Sequence, residues 1–82
     1  MARCDKLLQK ARNNPAGLRF TELEKLAQCY GFYLDRQNAS SHRIYKAEGR
    51  AERLNLQPRK DGKAKDYQVL QLLRLIQKIE GE

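Results

Sequence analysis

The chain has no tryptophan, one histidine, two cysteines, two prolines and one methionine, and its aromatic residues are four tyrosines and two phenylalanines. With so few large rings and only 82 residues, one modest core is possible and a second domain is not. A chain of this size buries only roughly 60% of its surface on folding. The cysteines, Cys4 and Cys29, fit neither a C-x-x-C pair nor any spacing that assembles a zinc site with a single histidine. No metal and no other cofactor is therefore expected, and both cysteines read as free, partly buried thiols in a reducing cytoplasm. No apolar run reaches membrane length. The opening MARCDKLLQK interleaves charges with its apolar residues, which a signal peptide does not do. A cytoplasmic protein without a membrane segment is expected.

What the chain has in excess is positive charge. Charged residues are 33% of the sequence and the net charge is +7. A small domain this basic is suited to a polyanion, and nucleic acid is the commonest one in a cell. An anionic membrane fits less well, because the basic residues do not line one face of an amphipathic helix opposite an apolar face.

Along the chain, Cys4, Leu7, Leu8 and Ala11 recur at helical spacing and mark an additional N-terminal helix over residues 1–14, ended by NNPAG. Thr21 followed by Glu24 has the form of a capping box, and Leu23, Leu26, Ala27 and Tyr30 continue a second helix that Gly31 stops. After Gly31 the apolar period falls from 3.6 to 2. Phe32 and Leu34, then Ile44, then Leu54 and Leu56 mark three short antiparallel strands, the last ended by Pro58. Ile44 is expected on the buried face with His42, and Arg43 and Tyr45 on the solvent face, where the tyrosine ring is available for a base. A basic loop, PRKDGKAK, leads into a final helix. There Val69, Leu72, Leu73 and Ile76 form the core stripe, and Leu70, Leu75 and Ile79 make it wider than one small sheet requires. Either the N-terminal helix covers the excess or a partner does. The expected architecture is one α+β domain over residues 1–82, order ααβββα, with helices on one face of the sheet and a core over residues 20–79.

Two groups carry the candidate chemistry. Lys60, Lys63 and Lys65 lie just before a helix, where side-chain cations and first-turn N–H groups together suit a phosphate; a solvated charged loop is the alternative. His42 is available as a general acid/base, because a histidine titrates near neutrality, and RNA suits it: a base can take the 2′-hydroxyl proton for attack on the adjacent phosphate. A structural histidine at a strand entry is the alternative. Its shared parity with Ile44 requires a frayed or bulged entry if His42 is to be exposed.

From about Phe20 to Ile79 the chain resembles the HicA family, the RNA-cleaving toxins of HicA/HicB toxin-antitoxin pairs. The resemblance rests on Ser40-Ser41-His42 followed by Arg43-Ile44-Tyr45, on RFTELEKLAQCYGFYL, and on LNLQPRKDGKAKDYQVLQLLRLI. Ser40 stands at the family's glycine, and Asp66 where one branch has proline. The resemblance implies a double-stranded-RNA-binding-domain-like fold and a metal-independent endoribonuclease that cleaves mRNA with His42. It implies RNA contacts from Ser41, Arg43, Lys60, Lys63 and Lys65. It also implies neutralisation by a HicB-type antitoxin, with operator DNA bound only through the antitoxin complex. A non-catalytic RNA-binding module of the same fold and a structural protein-docking domain are the other two readings.

Overall fold

A computed structural model describes residues 2–37 and 42–82. The element order is α1 (Ala2–Asn13), a 3₁₀ turn (Pro15–Gly17), α2 (Phe20–Cys29), β1 (Phe32–Gln37), β2 (Arg43–Ala47), β3 (Arg53–Leu56) and α3 (Asp66–Glu80). This is the expected α+β arrangement, with a three-stranded antiparallel sheet in the order β1-β2-β3.

Each helix turns one apolar stripe to a shared core. Leu8 and Ala11 of α1, Phe20, Leu23, Leu26 and Ala27 of α2, and Val69, Leu72 and Ile76 of α3 are buried together with Phe32, Tyr45, Ala47, Leu54 and Leu56 from the sheet. The excess apolar width of α3 is mostly covered from within, by α1 and the 3₁₀ turn, which both pack on it. Leu73, Leu75 and Ile79 lie against the core, while Leu70 stays exposed. No helix among the described residues is long and apolar enough to cross a membrane.

Three local expectations are corrected. Helix α2 begins at Phe20 rather than after Thr21. The Glu22 carboxylate, not that of Glu24, accepts from the N-terminal backbone, taking the Arg19 N–H at 3.0 Å. Its hydrogen bond from Lys10 holds the Glu22 carboxyl below the usual carboxylate range. Second, Cys4 and Cys29 are not free thiols. Packing α1 on α2 brings their Cα atoms to 6.0 Å, and the two sulfurs are bonded.

The third correction is the parity of β2. Tyr45 and Ala47, two residues apart, face the helices, and Tyr45 is only 2% exposed. Arg43 shares their face. Its Nη1 donates to Glu24 Oε2 at 2.7 Å, the Tyr45 hydroxyl donates to the same oxygen at 2.6 Å, and the guanidinium lies 5.2 Å from the Phe20 ring centre. One carboxylate on α2 thus ties down two side chains of β2. With Tyr45 inward, Ile44 must point outward, since neighbours in a strand alternate between faces.

Candidate functional site

The inverted parity opens the far side of the sheet. Two cross-strand rows lie there, Tyr33–Lys46–Arg53 and Arg36–Ile44–Asn55, and His42 begins the next row at one end of β2. The bulge between Leu34 and Arg36 returns Arg36 to this face after Asp35. The histidine therefore needs no frayed entry to be accessible: it shares the open face with Ile44.

His42 is held by its neighbour strand. Its Nδ1 lies 3.1 Å from Asn55 Oδ1. An amide oxygen can only accept, so Nδ1 carries a proton in this contact, and in the neutral ring Nε2 then holds the lone pair. Asn55 stands opposite Ile44, and continuing the register of Arg43 with Leu56 places Gln57 opposite His42. Gln57 is fixed in turn: its side-chain oxygen accepts from Lys65 Nζ at 2.8 Å, and its backbone N–H donates to Gln68 Oε1 at 3.0 Å. Gln68 is the one buried polar residue of α3, 4% exposed. It pins the start of α3 to the end of β3, beside the histidine.

The cations of the open face are braced at their bases. Asp35 pairs with Lys46 at 3.1 Å and with Arg36 at 3.6 Å. The Lys46 hydrogen bond, more than the charge of either cation, holds the Asp35 carboxyl below its ordinary range. Arg53 Nη1 donates to the backbone carbonyls of Arg50, Ala51 and Glu52 at 3.1 to 3.2 Å.

The basic loop is a hairpin rather than a loose excursion. The Arg59 N–H donates to the Lys63 carbonyl at 2.9 Å and the Gly62 N–H to the Arg59 carbonyl at 3.0 Å, with Gly62 at positive φ. The hairpin is stitched to the entry of α2: the Phe20 N–H donates to the Gly62 carbonyl and the Ala64 N–H to the Leu18 carbonyl. Lys60 and Lys63 are exposed on it. Gly17, Arg19, Thr21, Asp61, Gly62 and Lys63 line an open cleft of about 540 Å³ beside it.

Of the residues expected to act together, the structure brings His42 and Lys65 to one end of the sheet through Gln57, and the hairpin with Lys60 and Lys63 leaves from that end. Arg43 is turned away toward Glu24, so the expectation that it projects from the open face is corrected. Ser41 lies outside the described residues. The first turn of α3 is not a free phosphate cradle either. The Tyr67 N–H is taken by the Asp66 carboxylate at 2.8 Å and the Gln68 N–H donates to the Lys65 carbonyl. These donors of the first turn are therefore already engaged within the helix entry. Asn55, Gln57, Gln68 and Tyr33 were missed from sequence. That Asn55 shares a face with His42 follows once Tyr45 and Ala47, not Ile44, are taken as the inward pair, whereas Arg36 reaches that face only through the bulge in β1. Gln68 carries no such signal. No family model, curated protein or solved structure matches the chain.

Proposed function

We propose that the chain is a HicA-like toxin, an endoribonuclease that cleaves mRNA without a metal and uses His42 as general acid/base. The observation that carries this reading is the contact between His42 Nδ1 and Asn55 Oδ1. It leaves Nε2 as a lone-pair nitrogen on an open face with Arg36, Lys46 and Arg53. In the reaction Nε2 takes the proton of a 2′-hydroxyl and the 2′-oxygen attacks the adjacent phosphorus. The P–O5′ bond breaks, and the 5′-oxygen leaves with a proton returned from the imidazolium. A 2′,3′-cyclic phosphate and a 5′-hydroxyl result, and nearby cations stabilise the charge on the phosphoryl oxygens.

The helices on one face of a three-stranded sheet support a double-stranded-RNA-binding-domain-like fold in this reading. A HicB-type antitoxin is the protein partner, covering the site, and operator DNA is bound only by the pair. The substrate places the protein in the cytoplasm, where thiol reductants open most disulfides. Activity with Cys4 and Cys29 reduced is therefore part of the proposal. Induced expression should arrest growth, and His42→Ala should relieve the arrest at equal protein level. Arrest that survives this change, or its absence with the native sequence, would contradict the proposal.

A further inference from the structure

We infer that the open sheet face is a platform for unpaired RNA, on which Tyr33 stacks a base while Arg36, Lys46 and Arg53 hold the phosphates of the same strand. The inference rests on the reading of the chain as an RNA-acting protein and extends it to the form of RNA that is accepted. Tyr33 is 41% exposed and sits opposite Lys46, whose Nζ lies 5.8 Å from its ring centre. An exposed aromatic ring with a cation over it, on an open sheet, supplies the two parts that single-stranded nucleic acid requires: a ring for stacking and a phosphate partner. The cations are already positioned, Lys46 and Arg36 by Asp35 and Arg53 by three carbonyls, so less side-chain freedom is lost when a strand binds. Asp35, the acid between them, is engaged with both Arg36 and Lys46.

Spacing relates the platform to the histidine. Lys46 and His42 are four residues apart on one face, roughly 13 Å at a strand's rise per residue. The base on Tyr33 therefore belongs to a neighbour of the cleaved linkage in the same strand. A duplex cannot use this surface, because its base faces are stacked on one another and only its edges, sugars and phosphates are presented.

The test uses a fluorescent 2′-O-methyl oligoribonucleotide about 12 nucleotides long, which cannot be cut through the 2′-oxygen, as a single strand and annealed to its complement. The single strand should bind at least about tenfold more tightly than the duplex, and Tyr33→Ala should weaken single-strand binding about tenfold. Tyr33→Leu, which keeps apolar bulk without a ring, should weaken it as well, whereas Tyr67→Ala, an exposed tyrosine on α3, should not. Equal affinity for duplex and single strand, or unchanged binding by folded Tyr33→Ala and Tyr33→Leu, would overturn the platform. Because the probe is not cut, the outcome is independent of catalysis. A protein that cleaves through His42 but binds normally without Tyr33 loses only the platform; one that binds as expected but never cleaves loses only the nuclease.

Discussion

At the scale of residues, the free nitrogen of His42 is decided by Asn55, whose amide oxygen faces Nδ1 at 3.1 Å. A neutral amide orients the ring without adding a charge. Asn55→Ala should therefore lower kcat about tenfold with KM little changed, since it frees the ring to rotate but leaves the RNA contacts intact. Asn55→Asp gives a sharper signature. A carboxylate at Nδ1 favours the imidazolium, so the base is available only at higher pH and the rising limb of the pH–rate profile should move to the alkaline side. An Asn55→Asp profile that coincides with the native one would mean that the contact does not serve catalysis. The pairing of these two residues was not legible in the sequence, because it depends on the cross-strand register. The inward pair Tyr45 and Ala47 was legible in principle. Ile44 is the more apolar residue and drew the buried assignment, but Glu24 supplies a partner for the tyrosine hydroxyl and lets the ring lie inside.

Elements meet through a few polar ties. The three helices and three strands could be read from periodicity alone, because changes from period 3.6 to 2 and stops such as Gly31 are local. What joins them could not, since Glu24 had to be placed by tertiary packing rather than by its distance from Thr21. Burial first, then the hydrogen bond and charge of Glu24, push the Tyr45 phenol up to about 12. Its folded value is thus above that of an unfolded tyrosine, roughly 10. The contact contributes its full stability below about pH 10 and loses it as pH rises through 12. Denaturation at pH 8 and pH 11 should show a larger alkaline loss for the native chain than for Tyr45→Phe; equal losses would separate Tyr45 from the α2–β2 junction. The other tie is Cys4–Cys29, which closes a separation of 25 residues between α1 and the end of α2. A loop of that size contributes about 3.5 kcal/mol on a chain-entropy model. Sequence composition pointed to reduced thiols because the pair has no distinctive spacing, and only the packing of two helices brings it together.

The whole molecule divides into a helix-covered side and an open one. Helices fill one face of the sheet, and on the other His42, Arg36, Lys46, Arg53 and Tyr33 are presented, while the hairpin carrying Lys60 and Lys63 is tied to the entry of α2. On the proposed reading the net charge of +7 draws RNA to the molecule as a whole, and cleavage is assigned to one nitrogen. The most direct measurement is cleavage of an end-labelled RNA in EDTA by the native protein and by His42→Ala from parallel purifications, with a second RNA carrying a single 2′-deoxy at the cut position. The native protein should cut the first RNA at least about 100-fold faster than the variant and should leave the deoxy linkage intact. Equal cleavage by the two proteins, or cutting at the deoxy linkage, would contradict the assignment of His42 as the base for 2′-hydroxyl attack.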